Sequence, residues 1–287
     1  MKKLSTILIA LLLLLSAEGQ ILRYSNYTAP TDIYCTEYRA VYNAMTNKPS
    51  ETHAGYQNAM VKSLVDGGYW TGRMELFYVL AQEGTASTEL SLNWVAPTGS
   101  FNLSDAGSVN PYEHAVQYQG IDFNGTDDYL STQWNHNTNS VNVGAADLTL
   151  AVWFLSGSTA PAMGAYQSGI FLQLWPRNSG QLQAYINSAE VSNLGSQSAT
   201  TGFAMITRRG ATELEGYFNG TSIGTASHQG YGATNRTVVI GGSNDEGSIN
   251  THYDGIISIV MIMDAVSDSD ATAIYNILDT YMTAIGN

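Results

Sequence analysis

The sequence predicts a mainly antiparallel β-sandwich with one helix near each end of the chain. From residue 85 onward, short runs that alternate apolar and polar residues are separated by turns rich in Gly, Asn, Asp and Ser, at the spacing typical of a sandwich. Only two segments, beginning near Pro49 and Ser267, have a helix cap followed by one apolar face. The 287 residues contain a single cysteine, Cys35, so no intramolecular disulfide forms and a buried core has to stabilise the fold.

The N-terminal segment has the composition of a secretory signal peptide. Lys2 and Lys3 precede an apolar run from Ile7 to Leu15, and small residues follow before Gln20. That run is shorter than the roughly 20 residues that a membrane-spanning helix requires, and no later segment is apolar enough to span. We therefore expect residues 1–19 to be removed and the protein to be secreted or held at the cell surface, without a transmembrane segment.

The next residues are expected to form an arm and a helical lead-in. Residues 20–48 are rich in Tyr and Thr with weak periodicity, which predicts an extended arm. Residues 49–84 begin with a helix that Ser50 caps and Gly67 ends. The apolar run "RMELFYVLAQ" that follows favours a strand because it contains Phe, Tyr and Val.

Residues 85–287 are expected to form the sandwich itself. The run "LTLAVWFL" alternates between two faces, and "GIFLQLWPRNSGQLQAYI" indicates two strands joined by a turn. In "GYFNGTSIG", Asn219 and Gly220 are suited to the positive φ angles of a two-residue hairpin turn. The run "DGIISIVMIM" is apolar throughout, which predicts a strand covered on both faces. Ser267 then caps a C-terminal helix whose first turn contains Asp268 and Asp270.

The order of these runs resembles a known jelly-roll family. The runs "IDFNGTDDYL", "LTLAVWF", "GYFNGTSIG", "TVVIGG", "HYDGIISIVMIM" and "VSDSDATAIY" are similar to the successive elements of laminin-G-like, concanavalin A-like domains, from about Ala115 to Tyr281. The stretch "QNAMVKSLVDGGYWTGRMELFYVLA" also resembles the lead-in of phage virion proteins and secreted bacterial proteins that contain this jelly roll. The resemblance implies an all-β, antiparallel jelly-roll domain.

Charge and composition restrict the class of partner. With 11 basic and 24 acidic residues the net charge is −13, which argues against nucleic acid, because phosphate contacts require clustered Lys and Arg. Only 12% of residues are charged, so the surface interacts mainly through hydroxyl groups, amides and aromatic rings. We expect a non-catalytic protein that binds a glycan or another cell-surface component. The alternative is a structural subunit of an extracellular filament or virion, in which the arm pairs with a sheet edge of an identical subunit.

Four tryptophans are the candidate ligand-binding residues. Trp70, Trp94, Trp134 and Trp175 lie near predicted strand ends or loops, where an indole ring is able to stack on a sugar. Trp153 lies within a predicted strand and is assigned to the core. For each of the four we favour packing in the core, and stacking on a sugar is the alternative.

Two acidic clusters are candidate cation sites. The turn from Asn124 to Asp128 offers at most three side-chain oxygen ligands, whereas calcium takes six to eight oxygens, so we interpret it as a hairpin turn. If calcium binds, the loop with Asn244, Asp245 and Glu246 is the better candidate, since a longer loop also supplies carbonyl groups. A solvated acidic turn is the favoured interpretation of this loop, and a calcium site is the alternative.

No catalytic residues are predicted. The run "GTSIG" matches the nucleophile elbow of hydrolases, but Ser222 follows a hairpin turn rather than preceding a helix. Glu213 and Glu215 alternate like the carboxylates of a glucanase, but Leu214 stands where that motif has an Asp. A glycoside hydrolase of the glucanase type remains a less favoured alternative.

Overall fold

The computed structural model describes residues 33–105, 110–157 and 159–287. The predicted signal peptide, residues 1–19, and residues 20–32 of the predicted arm lie outside the described residues. Thr36–Asn287 forms one compact unit.

The first two helices of this unit precede the predicted sandwich segment, and the others lie within it. They are α1 (Thr36–Ala44), α2 (Glu51–Asp66), α3 (Ser87–Leu90), α4 (His136–Asn139) and α5 (Asp268–Ala284), with a 3₁₀ helix at Pro111–His114. The predicted caps are confirmed: the Ser50 side chain accepts from the His53 amide, and Ser267 and Asp270 form a capping box. None of the helices in the described part of the chain has the length and apolar character to cross a membrane.

Two sheets contain the strands. In chain order these are β1 (Met74–Val79), β2 (Ser104–Asp105), β3 (Ala115–Val116), β4 (Gly120–Asn124), β5 (Leu130–Asn135), β6 (Asp147–Phe154), β7 (Met163–Gln167), β8 (Ile170–Asn178), β9 (Gln181–Ser188), β10 (Ser192–Ser196), β11 (Gly202–Arg209), β12 (Glu213–Phe218), β13 (Thr221–Ser227), β14 (Thr237–Ile240), β15 (Ser243–Asp245), β16 (Ser248–Asn250) and β17 (Asp254–Met263). The first sheet has the order β13-β12-β11-β6-β17-β4-β3, with β1 also paired to β17. The second has the order β10-β9-β8-β7-β14-β5-β2, with the β15-β16 hairpin attached to β7. Every pairing is antiparallel except that of β15 with β7, so the predicted antiparallel sandwich is confirmed.

The main core lies between the two sheets. Leu150 and Val152 of the first sheet and Leu172 and Leu174 of the second belong to one buried cluster. On the other side of the first sheet, α5 packs against β6, where the rings of Trp153 and Tyr275 stack at 5.9 Å. Nearly all of β17 is buried, which confirms that this strand is covered on both faces.

Two features of the N-terminal region differ from the sequence interpretation. Thr36–Ala44, placed in an extended arm, is a helix, because Val41 is buried and the Tyr38 hydroxyl donates to Gln57 Oε1 at 2.7 Å. This part of the arm is therefore not available as a strand for a neighbouring subunit. The lead-in segment confirms the predicted strand, but β1 pairs with β17, so the sheet begins before residue 85.

Candidate functional site

Strands β8 and β9 form the centre of the candidate site. Ser179 and Gly180, with φ angles of 53° and 77°, connect them in a tight two-residue turn. Side chains alternate along a strand. Leu172 and Leu174 of β8 therefore point into the core, while Phe171, Gln173 and Trp175 point away from the sandwich. The sequence thus places one apolar row inside and one mixed aromatic and amide row outside.

Three aromatic rings lie in contact across the outer side of β7, β8 and β9. Tyr166 is paired with Phe171, and their ring centroids are 4.1 Å apart. Phe171 contacts Tyr185 of the next strand at 4.7 Å. Each of the three side chains is half-buried, since each ring is partly covered by its neighbour and partly open to solvent. The rings therefore form a continuous row that crosses three strands.

Amide side chains continue this surface beside the rings. The Trp175 indole donates to Gln173 Oε1 at 3.2 Å, and Gln173 Nε2 donates to Ser243 Oγ at 2.6 Å. On the neighbouring strands, Gln183 Nε2 donates to Asn193 Oδ1 at 2.6 Å. These hydrogen bonds fix which end of each amide donates and which accepts. We call this surface the aromatic–amide face; it consists of Tyr166, Phe171, Gln173, Trp175, Gln183, Tyr185 and Asn193.

The aromatic–amide face is uncharged and has unused hydrogen-bonding groups. Within the described residues, the hydroxyl groups of Tyr166 and Tyr185 have no protein partner. Aromatic rings offer flat apolar area, and hydroxyl and amide groups beside them are able to exchange hydrogen bonds with a ligand. The arrangement suits a ligand with flat apolar patches bordered by hydroxyl groups.

Three of the four candidate tryptophans lie in the interior, which agrees with packing in the core and contradicts a role in ligand binding. Trp70 packs edge-on against Phe77, and Trp94 packs against the same ring. Trp134 is fully buried, and its Nε1 donates to Glu75 Oε1 at 3.2 Å. The physical reason is that an indole ring fits a core as well as a surface. For Trp134 the interior also supplies the partner for the N–H, whereas within the described residues the buried Nε1 of Trp94 has none. Only Trp175 of the four belongs to the aromatic–amide face.

The candidate calcium loop forms a hairpin with internal hydrogen bonds. Asn244 donates to the Thr237 carbonyl at 2.9 Å and accepts from the Gly247 amide at 3.0 Å. Asp245 accepts from Asn250 at 3.3 Å. Glu246 accepts from the Ser168 amide at 2.6 Å, and this bond, assisted by an ion pair with Arg236, holds the pKa of the Glu246 carboxyl below its usual range. A calcium ion at this loop has to compete with these partners.

The segment from Asn124 to Asp128 is a turn, as the sequence predicted, but it is not a hairpin, because it connects β4 of the first sheet to β5 of the second. Asn124 Oδ1 accepts from the amides of Thr126, Asp127 and Asp128 at 2.8 to 3.3 Å. Asp128 is fully buried, and its Oδ2 accepts from the Asn124 amide and lies 2.7 Å from His114 Nδ1. In the part of the chain that the structure describes, no group of three or more His, Cys, Asp or Glu side chains is arranged to hold a metal.

The carboxylates considered for a glucanase lie on β12 of the first sheet. Arg209 forms ion pairs with both, at 2.9 Å to Glu213 and at shorter range to Glu215. Glu215 also accepts from Ser222, which lies within β13 and is followed by more strand. The side chains of this cluster are thus bonded to one another, and Ser222 lacks the strand–turn–helix context of a nucleophile elbow.

The other residues of the aromatic–amide face are not among the candidate site residues that the sequence predicted. The signal is present in the alternation of "GIFLQLW" and "QLQAYI", in which aromatic and amide residues occupy every second position opposite Leu, Ala and Ile. Alternation identifies the solvent side of each strand, but it does not show which strands are neighbours. The contact of Tyr166 with Phe171 and Tyr185 depends on that pairing.

The chain matches one family model. Residues 123–271, about half of the chain, match the model of the concanavalin A-like lectin/glucanases superfamily. No curated protein matches the sequence closely enough to count as a relative.

Solved structures resemble the chain in fold. A structure of botulinum neurotoxin type C, concerned with cell entry through two ganglioside molecules, has a TM-score of 0.51 at 12% identity and covers 73% of this chain. Domain 4 of an extracellular arabinanase from Geobacillus stearothermophilus, in complex with arabinotriose, has a TM-score of 0.45 at 12% identity, covering 70% of this chain and 100% of that domain. A Trypanosoma rangeli sialidase has a TM-score of 0.49 at 13% identity, covering 79% of this chain and 40% of the sialidase. The chain spans about half of the toxin chain, 52%.

Proposed function

The chain belongs to the concanavalin A-like lectin/glucanases superfamily, and from that premise we propose that it is an exported, non-catalytic protein whose aromatic–amide face binds a glycan. The observation that carries the proposal is the contact row of Tyr166, Phe171 and Tyr185 beside oriented amides. A pyranose ring has an apolar face of C–H groups and an edge of hydroxyl groups. The aromatic rings are suited to stack on the C–H face of the sugar, and the amide groups and tyrosine hydroxyl groups are suited to hydrogen-bond its hydroxyl groups.

The lack of charge on this face favours a neutral glycan. None of its seven residues is Asp, Glu, Lys, Arg or His, and the half-buried Gln183 keeps a second N–H and a second acceptor site beyond its bonds to Asn178 and Asn193. Binding through stacking and neutral hydrogen bonds is little screened by salt, because screening acts on charges. Glycan binding is therefore expected to persist at high ionic strength.

The non-catalytic part of the proposal is supported by the ion pairs of Glu213 and Glu215 with Arg209. A retaining glycosidase requires two carboxyl groups about 5 Å apart across a substrate, one as acid and one as nucleophile. Export is supported by the lysines and apolar run of the N-terminal segment.

A glycan array tests the proposal with three variants. The unmodified protein is expected to bind a defined set of neutral glycans, with and without calcium. Tyr185→Ala and Phe171→Ala should each weaken the Kd for the best glycan about tenfold, since a tenfold change corresponds to about 1.4 kcal/mol. Tyr56→Ala is the matched control, because Tyr56 is a partly exposed tyrosine on α2 and lies outside the aromatic–amide face.

Circular dichroism establishes that each variant is folded before binding is compared. Two outcomes contradict the proposal: no glycan is bound by the folded protein, or Tyr56→Ala weakens binding as much as Tyr185→Ala does. Release of sugar from a bound glycan during incubation contradicts the non-catalytic part alone.

A further inference from the structure

Arg208 occupies a position that the strand pattern reserves for an apolar residue. Along β11, Ala204 and Ile206 belong to the core between the sheets, and Arg208 is the next residue in the same alternating series. Its side chain is fully buried, with 0% exposure. Burying a guanidinium group costs free energy unless an opposite charge accompanies it, so such arginines are normally paired.

Only some of the N–H groups of this guanidinium group have hydrogen-bond partners within the described residues. Nε donates to the Ile186 carbonyl at 2.9 Å, and Nη1 donates to the carbonyls of Ala211 and His228 at 2.8 and 3.0 Å. Within the described residues, Nη2 is buried with no hydrogen-bond partner, and no carboxylate forms an ion pair with Arg208. Burial lowers the pKa of Arg208 from its ordinary value, which is the direction expected for a charge without a counter-charge. One N–H₂ group and one positive charge thus remain uncompensated.

A small pocket of about 100 Å³ lies beside Arg208. Three loops form it, and its other lining residues are Ala145, Ala146, Ala211, Gly230 and Gly232. A Cβ atom added to Gly230 would lie 3.4 Å from Arg208 Nη1, so the absence of a side chain there keeps the space beside the guanidinium group open. At roughly 30 Å³ per water, the volume holds about three waters or one carboxylate group, but no sugar ring.

We propose that this pocket binds a carboxylate group beside the guanidinium group of Arg208, which is one of its lining residues. The ligand supplies the counter-charge that the described residues do not provide, and pairing of opposite charges offsets part of the cost of burying the guanidinium group. Two sources present the same chemistry: a free small carboxylate, and the carboxylate of an acidic sugar whose ring stays outside the pocket. An acidic sugar would also have an aromatic residue on which its ring is able to stack: Tyr231, which is exposed and lies between Gly230 and Gly232 in the sequence.

No residue of the aromatic–amide face lines this pocket, and the carboxylate site does not depend on the proposed glycan function. Thermal melting of the folded protein with sodium acetate or acetamide at equal concentration tests it. Acetamide has the shape of acetate without the charge. We expect acetate to raise the Tm by several degrees more than acetamide, by mass action on the folded state.

Two matched variants separate the pocket from general salt effects. Ala146→Leu fills the pocket from its half-exposed wall and leaves Arg208 in place, so the excess shift with acetate should disappear. Ala199→Leu makes the same change in an exposed loop and should retain the full shift. Arg208→Gln should also lose the shift. Ala146→Leu is the decisive variant, because Arg208 donates hydrogen bonds to three carbonyl groups and its replacement also removes these bonds. Equal shifts with acetate and acetamide, or an unchanged acetate shift in folded Ala146→Leu, overturn the proposal.

Glucuronate distinguishes the two sources. If the acidic sugar is the ligand, glucuronate binds about tenfold more tightly than acetate, and Tyr231→Ala reduces its affinity to that of acetate. If the free carboxylate is the ligand, glucuronate binds no more tightly than acetate and Tyr231→Ala changes neither affinity. Both outcomes support the carboxylate site and assign its source.

Discussion

His136 is a buried histidine packed between Trp134 and Asn187. Its ring stacks on Trp134 at 5.4 Å, and Nδ1 lies 3.2 Å from Asn187 Oδ1. Only 2% of the residue is exposed, and this burial lowers the pKa of His136 from 6.5 to about 4. The folded protein therefore keeps this imidazole neutral at pH values at which the unfolded chain protonates it.

A pH-dependent loss of stability follows at the scale of this residue. Because the pKa of His136 is lower in the folded than in the unfolded state, its contribution is present above about pH 6.5 and is lost as the pH falls toward 4. Between pH 7 and pH 5 we expect the unmodified protein to lose about 2 kcal/mol more free energy of unfolding than His136→Phe does. Urea unfolding at both pH values measures this difference. An equal loss in the two proteins would mean that His136 does not titrate as described.

The hydrogen bonds of Glu246 lead to a prediction about calcium. The carboxylate already accepts from the Ser168 amide and pairs with Arg236, so adding a cation gains little. We expect millimolar calcium to leave the Tm unchanged relative to EDTA, and Glu246→Gln to lower the Tm by the same amount in both conditions. A rise in Tm with calcium that Glu246→Gln abolishes would place a cation at this loop.

At the scale of elements, β10 and β13 close one side of the sandwich. A Cβ atom on Gly195 of β10 would lie 2.1 Å from the Ile223 carbonyl oxygen of β13, and one on Gly224 would lie 2.6 Å from the Leu194 carbonyl oxygen. The two strands are therefore close enough only because both positions lack side chains. Each strand is the last of its sheet, so this approach also protects two sheet edges.

Glycine substitutions distinguish this close approach from backbone conformation alone. Gly195 and Gly169 both have positive φ, 116° and 85°, but a Cβ on Gly169 meets nothing within 4 Å. Gly169→Ala should cost about 1–2 kcal/mol of unfolding free energy through its backbone conformation. Gly195→Ala should cost about 2 kcal/mol more, because it adds a steric clash. Urea unfolding measures both, and equal costs would show that β10 and β13 are free to move apart.

The elements that the sequence predicted are those with strong local signals. The caps at Ser50 and Ser267 and the turn at Asn219 and Gly220 are set by the chemistry of a few adjacent residues. Helix α1 lacks such a signal: its nine residues are too few for a stable isolated helix, and packing of Tyr38 against distant residues stabilises it. The burial of Trp134 likewise depends on Glu75, 59 residues away, so local pattern did not reveal it.

At the scale of the whole molecule, the outward sides of the two sheets differ in composition. The outward row of the first sheet contains Trp153, Phe203 and Met261, all buried and lying on the side where α5 packs. The outward side of the second sheet presents the aromatic–amide face, whose rings remain half-exposed. An apolar face needs a covering layer, whereas a face of tyrosine, glutamine and asparagine remains compatible with water and with a hydroxyl-rich ligand.

Removal of α5 tests this difference. A chain that ends at Val266 lacks the ring of Tyr275, which packs against Trp153 and Phe203, and so uncovers a contiguous apolar surface on the first sheet. We expect this shortened protein to form large species by light scattering and to bind a hydrophobic dye, because exposed apolar patches of this kind drive association. Removal of only Gly286 and Asn287 is the matched control, since α5 ends at Ala284 and this change should leave the mass in solution unchanged. If the chain that ends at Val266 keeps the mass per particle and near-ultraviolet circular dichroism expected of the folded protein, the helix is not a required cover. Both outer faces would then tolerate water, and the difference between them would no longer single out the second sheet as the binding side.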